Sequence, residues 1–547
     1  GSINVTVVNS LVLNGSSTAL LADGLAGQDG LRAGTHQQAF AGGGGGAGGS
    51  VYVSADSFEG SGRVRAAGGA GGSGGYTHLT STSSSHLQFG GGGGGGGRIA
   101  IHCTTCASLD GASFGVDGAR LLSGVTLSAQ GGVAGASKPG TSAGPLSGAP
   151  GPIYADAADH RMVLLANHDG RSVSSASDAW TRLPTGAGAT PLLDRLIVYM
   201  AHARLQASPS FRRIDADGSV VAVLEAVHAT EVVAIESGTW TLSAALSTAT
   251  LSVGAAVEIY TDADATPLEL SASSSLSFAG HAAAQRIVVA AGNATFVGNG
   301  TLDAGANRLG QGLGLASGSG AQGGTHGGQG GGSTGVPYGD LETPTSVGSG
   351  GGGYNGGGTI NLNVSDLLFL DGVDTLVSAD GGGGGVETTT RRGGGAGGSV
   401  HISAAHFEGS GRVSAKGGSG NSVHTSWWHV GSGGGGGRIA IHCTTCASLG
   451  DASLGADGVR WPAGITMSAQ GGAVGARGPT STSAVSAQSG APGPIYADAA
   501  RDRTVLLANY DARSITSADA WTRLPSGAGA TPLLDRLIVY MAHARLQ

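Results

Sequence analysis

The chain has 547 residues, 107 of them glycine, with 5% aromatic and 12% charged residues and a formal net charge of −8. A single compact core stops growing at roughly 250–300 residues, so this length needs several cores or one extended core, and glycine far above its usual share of about 7% argues against a compact globule. A hydrophobic content of 40% excludes a disordered chain, and with no long run of one charge there is no electrostatic footprint for nucleic acid or for an anionic membrane surface.

The opening, GSINVTVVNSLVLNG, reads at once as a strand and lacks the basic region and apolar block of a signal peptide. No uninterrupted apolar run reaches the roughly 18–20 residues of a membrane-spanning helix, so no direct membrane insertion is expected in this segment. The chain is expected to be an excerpt of a longer protein. Residues 1–152 form a glycine-rich segment in which GGSVYVSADSFEGSGRVRAAGG, from Gly48, alternates so that Val51 and Val53 share one face. Residues 153–280 are strand-rich and poorer in glycine; there Leu193 to Leu205 is long enough for a helix, but strand, turn and strand suit the surroundings better. Residues 281–494 are a second glycine-rich segment, with GGGTINLNVSDLLFLDGVDTLVSADGGGGG from Gly356 and GGSVHISAAHFEGSGRVSAKGG from Gly397, and residues 495–547 repeat the start of the strand-rich segment.

The stretch from Gly97 to Gln206 returns almost intact from Gly437 to Gln547, with GRIAIHCTTCASL and LLDRLIVYMAHARLQ in both copies. The offset drifts while strands are kept: Phe58 corresponds to Phe407, Cys103 to Cys443 and Trp180 to Trp521. Insertions confined to loops are what a stacked scaffold tolerates, and the period of the module is roughly 340 residues. One small unit of two or three strands and a glycine loop cannot bury its own apolar face. Neighbours must stack, and the fold expected is all-β, a repetitive parallel β-solenoid with ordered or extended polyglycine loops. The alternative is an array of β-sandwich domains, against which stand the missing short hairpin turns and the unequal connections.

The glycine tracts admit two readings. As flexible linkers they would be floppy; as extended strands with about 3 residues per turn they would pack backbone against backbone. Their recurrence between the same strand strings favours neither outright, although a linker has no reason to keep that bracketing.

The strings GGSVYVSADSFEGSGRVRAAGG, GGGGGGRIAI and GPIYAD with LLDRLIVYMAHARL resemble those of large glycine-rich, tandem-repeat surface proteins of microbial eukaryotes and bacteria, similar to filamentous adhesins with right-handed parallel β-helices. The resemblance implies an extracellular or cell-surface location and an elongated, fibre-like or adhesive protein. It names no ligand.

Five N-x-Ser/Thr sequons, at Asn4, Asn14, Asn293, Asn299 and Asn363, could carry covalent glycans. The Ser/Thr tracts from Leu79 and from Thr480 are open to O-glycans or to nothing more than a polar loop. Cys103, Cys106, Cys443 and Cys446 all lie in IHCTTCASL; outside the cell, local disulfides within each pair are expected, with bridges elsewhere or metal binding beside His102 as competitors. Metal has only three such ligands per copy, and strand alternation sends His102 and Cys103 to opposite faces. A thioredoxin-like role would need a βαβ frame that the flanks lack. The acidic strings from Asp215 and Thr261 do not complete a calcium loop, and GxGxxG-like strings are expected by chance in this composition. No cofactor is expected.

The residues thus point first to a structural subunit of an extracellular glycoprotein fibre that self-assembles. A glycan- or cell-binding adhesin is second; Trp427 and Trp428 are the paired exposed aromatics it would use, but the first copy lacks them. A β-helix polysaccharide lyase or hydrolase is third, because its carboxylates should be kept and Asp110 faces Gly450.

Overall fold

The computed structural model describes residues 1–547 except 31–40, 75–89, 107–111, 116–117, 122, 138–145, 158–159, 167–179, 184–192, 206–209, 262–265, 306–317, 319, 388–390, 424–429, 447, 449–450, 456–457, 463, 477–486, 500–501, 509–521, 525–533, 541–543 and 547. The chain divides into two compact units, Gly1–Thr241 and Leu242–Gln547. Among the described residues it is all-β, has no α-helix, and builds mostly parallel sheet. Trp427 and Trp428, Asp110 and Gly450, most of the acidic string from Thr261 and most of the two Ser/Thr tracts lie outside the described residues.

In the first unit, period-two alternation turns Val51, Val53 and Ala55 of the strand Ser50–Ala55 inward. That strand lies between Ser2–Thr6 and Arg98–Cys103, with Pro152–Ala157 next, all parallel. Register stacks Ile3, Val51, Ile99 and Ile153 in one column and Val5, Val53, Ile101 and Ala155 in the next. Burying each such Val or Ile contributes about 1.5–3 kcal/mol. A second parallel set, Ala19–Leu21, Arg63–Arg65 and Thr126–Ser128, carries the column Leu20, Val64 and Leu127. Both sets feed one hydrophobic core that includes Phe58, Ile99 and Leu127.

The first parallel set does not stop at Gly151, since Pro152–Ala157 both continues it and turns back antiparallel onto His160–Ala166. Leu193–Tyr199 and Ser210–Asp217 then add in parallel. The stretch with helical length is two strands, Leu193–Tyr199 and His202–Leu205, separated at Met200, whose φ of 45° makes the turn. Burial of Leu196, Ile197 and Val198 in sequence, with no helical spacing, fits a strand covered on both faces.

The second unit repeats this order at greater length. Leu246–Thr261, Leu268–Phe278, Arg286–Val297, Thr359–Asp371, Ser399–Gly409, Arg438–Cys443 and Pro494–Ala499 pair successively in parallel. A companion parallel set runs through His281–Ala283, Thr301–Asp303, Leu376–Ser378, Arg412–Ser414 and Thr466–Ser468. Pro494–Ala499 again turns back antiparallel, onto Asp502–Ala508.

Candidate functional site: glycine layers and a repeated polar groove

The glycine tracts are hydrogen-bonded arrays. In the first unit the amides of Gly43, Gly46 and Gly49 donate to the carbonyls of Gln28, Leu25 and Ala22, at 2.7, 2.8 and 2.5 Å. Gly91, Gly94 and Gly97 donate in the same way to Gly72, Gly69 and Ala66, at 2.7, 2.9 and 2.6 Å. Donors rise by three as acceptors fall by three, so these neighbours are antiparallel and complete a turn every three residues, the period of polyproline II. A second family rises together: Gly24, Gly27 and Gly30 donate to Ala67, Ala70 and Ser73, and Gly45 and Gly48 donate to Gly92 and Gly95. The tracts therefore form two layers, with 22–30, 66–74 and 129–137 in one and 42–49, 90–97 and 146–151 in the other.

Glycine is required where the layers meet. A Cβ on Gly93 would lie 1.8 Å from the Gly132 carbonyl oxygen of the other layer and one on Gly68 1.9 Å from that of Gly94, and within one layer a Cβ on Gly94 would lie 2.0 Å from the Gly46 oxygen. Each triplet turns two residues toward other backbones and one outward, which is why Ala26, Ala70 and Val133 are tolerated inside the tracts. The backbone entropy lost by ordering glycine is offset by a nearly complete set of backbone bonds.

The second unit has its own pair of such layers, and a third covers one of them. Residues 320–331 run across the glycine tracts: Gly435 donates to Gly324 at 2.9 Å, Gly328 to Gly436 at 2.8 Å, Gly331 to Gly433 at 2.8 Å and Ala491 to Gln329 at 2.8 Å. The strap continues over the strand face, where Arg438 Nε donates to the Tyr338 carbonyl at 2.9 Å and His442 Nε2 to the Glu342 carbonyl at 2.7 Å. His326 of the strap is fully buried, its Nδ1 donating to the Gly397 carbonyl at 2.8 Å. Burial first, and the Arg438 charge second, push the His326 imidazole down to about 3, so it is neutral. Arg438 is itself pushed down to about 10 by burial, with Asp340 acting in the opposite sense.

Beside the layers, both units carry the same polar groove. Register aligns Ser54, His102 and Asp156 in the first unit and Ser403, His442 and Asp498 in the second. The first groove, of about 810 Å³, also has Asp56, Arg161 and Asp194 in its wall; the second, of about 740 Å³, has Asn363 and Thr444. His102 Nδ1 is 3.4 Å from Asp156 Oδ2, and its ring lies between Tyr52 and Tyr154, with centroids 5.2 and 5.4 Å away. The second unit has His401 where the first has Tyr52, and burial followed by the His442 charge lowers the His401 pKa. Asp56 corresponds to Ala405, so that acid is not shared. The row holds the residue types of a nucleophile, a base and its orienting acid. Among the described residues, however, no hydrogen bond joins Ser54 to His102 or Ser403 to His442.

Cys103 lies close to Cys106, and Cys443 to Cys446, with Cα atoms 5.7 Å apart in each pair, a span that a disulfide bridges. Both pairs follow directly on the strand that carries the groove histidine, and Cys103 and Cys443 are buried on the opposite face from it. Among the described residues no three His, Cys, Asp or Glu side chains converge as a metal ion would require. Asp215 of the acidic string is ion-paired with Arg195 at 2.5 Å and with Arg213 at 2.8 Å. The sequon residues Asn4, Asn14, Asn293, Asn299 and Asn363 are all exposed. Asn363 borders the second groove, and Asn293 Oδ1 accepts from the Leu367 amide at 3.2 Å.

The strap residues His326, Tyr338 and Glu342 and their partner Arg438 had no signal in composition or periodicity. The layered glycines had one, the run Gly68-Gly69-Ala70-Gly71-Gly72-Ser73, in which a tolerated residue recurs every third position. No family model matches the chain, and neither a curated protein nor a solved structure matches it.

Proposed function

We propose that this chain is a structural subunit of an extracellular glycoprotein fibre or cell-surface appendage, built from tandem parallel β-solenoid modules that each carry a hydrogen-bonded glycine layer. The observation that carries the reading is the recurrence of that layer in both copies of the module, strand column for strand column. Backbone-to-backbone packing gives a rigid element that depends on no ligand and spends its sequence on shape. Such elements suit a quasi-one-dimensional protein in which each module contacts its neighbours. The close cysteine pairs act as local disulfides that fix the strand end after each groove, and the exposed sequons carry glycans on the outer surface.

Electron microscopy of native material at low concentration tests this. Ordered filaments with a repeat commensurate with the module, together with glycan mass on peptides containing Asn4, Asn14, Asn293, Asn299 or Asn363, are the expected result. Isolated particles that never assemble would sink the fibre reading.

A further inference from the structure

Among the described residues, the outer glycine face is covered in the second unit and open in the first. We propose that the open face, formed by residues 42–49, 90–97 and 146–151, is a docking surface for a glycine-rich extended strap with the chemistry of residues 320–347.

The alignment of the two copies supplies the argument. In the second unit the amides of Gly393, Ser432, Gly435 and Ala491 donate to strap carbonyls at 3.1, 2.8, 2.9 and 2.8 Å. Their counterparts Gly44, Gly92, Gly95 and Ala149 have no backbone acceptor among the described residues. On the acceptor side, the carbonyls of Gly394, Gly433 and Gly436 take strap amides at 2.9, 2.8 and 2.8 Å, while those of Gly45, Gly93 and Gly96 take none among the described residues. Donors and acceptors thus recur at three-residue steps along parallel tracts, a pattern matched by another extended strand of the same pitch.

Sterics give a second, independent line. A Cβ on Gly393 would lie 1.8 Å from the Gln322 oxygen and one on Gly435 1.9 Å from the Gly328 oxygen, so the strap itself demands glycine there. A Cβ on Gly44 or Gly95 would meet nothing nearer than 3.8 and 3.9 Å. Nothing among the described residues requires glycine at these two positions, yet glycine stands there. The opposite outer face of the same unit shows the contrast, since its outward positions carry Ala26, Asp29, Ala70, Ser73, Val133 and Ala136. Every one of these positions bears a side chain, whereas on the open face glycine stands at Gly44, Gly92 and Gly95 beside Ala47, Leu146 and Ala149.

The strand face next to the open layer is equally ready. Arg438 is 1% exposed beneath the strap, whereas its counterpart Arg98 is exposed; Tyr496 is 1% exposed, whereas Tyr154 is half-buried. Leu146, at the edge of the open layer, is 42% exposed. This docking surface does not depend on whether the protein forms fibres.

The test is binding of a fluorescein-labelled synthetic peptide with the sequence of residues 318–347 to the full chain, followed by anisotropy. Saturable binding of one peptide per chain is expected, weakened at least about tenfold in the double variant Gly44→Ala, Gly95→Ala. Both added methyl groups have room in the unoccupied face, so the variant keeps the parent's circular dichroism and melting curve. No binding at about 1 mM peptide, or binding that the double variant leaves unchanged, overturns the proposal. So does a peptide-independent dimer, seen by sedimentation and abolished by the double variant, because the occupant would then be the same face of a second copy.

Discussion

Gly94 and Gly95 are neighbours in sequence with opposite surroundings: a Cβ on Gly94 would lie 2.0 Å from the Gly46 carbonyl oxygen, and one on Gly95 would meet nothing closer than 3.9 Å. Gly94→Ala should therefore cost about 3 kcal/mol, because two neighbouring tracts of one layer must separate to admit the methyl group. Gly95→Ala should leave stability within about 0.5 kcal/mol, or raise it slightly by restricting the unfolded chain. Urea unfolding of the two variants side by side checks the pair; equal effects would contradict the layered packing.

The strap of the second unit should loosen in mild acid. His326 has an ordinary value of 6.5 and a folded value of about 3, so the unfolded state binds the extra proton. The stability tied to the neutral ring is complete above about pH 6.5 and falls by up to about 1.4 kcal/mol per pH unit below it, until the folded value is reached. Among the charged groups around the ring, Arg438 stays protonated throughout. The Thr343 amide holds the Asp340 carboxyl below its usual range, so Asp340 withdraws stability only below about pH 4. Hydrogen exchange at Gly324, Gly328 and Gly331 between about pH 7 and about pH 4 should show this opening, and His326→Gln should abolish its pH dependence.

Asp380 stands where strand gives way to glycine tract, and Asp23 holds the same place in the first unit. One oxygen of Asp380 accepts from Ser414 Oγ at 2.5 Å and from the Lys416 amide at 2.6 Å. Burial pushes its carboxyl pKa up in spite of these donors. Asp380→Ala strands a buried amide and should cost about 1–3 kcal/mol, whereas Asp380→Asn, which keeps one acceptor, should cost less. Thermal melting distinguishes the two.

Thiol titration of the denatured chain should find no reactive cysteine until a reductant is added. Reduction should then lower the unfolding free energy by about 2 kcal/mol per pair, the amount expected for so short a loop. A free thiol in the unreduced protein would rule out the local disulfide of the pair to which it belongs.

The strands were legible because period-two alternation decides which face of a strand is buried, as Val51, Val53, Ile99 and Ile101 illustrate. Repetition flagged the groove, since His102 and Cys103 recur as His442 and Cys443, although Asp156 joins it only through register. The order in the glycine tracts was half legible. The triplet Gly68-Gly69-Ala70 carries the period, but which carbonyl would strike an added methyl group depends on tracts far apart in the chain. The strap was illegible for a simpler reason: it is rich in glycine, serine and threonine, has no apolar period, and is held largely by backbone bonds whose partners lie far away in the chain.

The three-residue turn of the glycine tracts has a genetic consequence. Runs of glycine codons gain and lose units when DNA is copied, and one added codon rotates the rest of a tract by about 120°, carrying an inward amide to the outside and an outward methyl into the neighbouring layer. Three added codons restore every facing and advance the bonding by one turn of about 9 Å. Inherited changes in tract length should therefore accumulate in steps of three codons, leaving intermediate lengths to be purged.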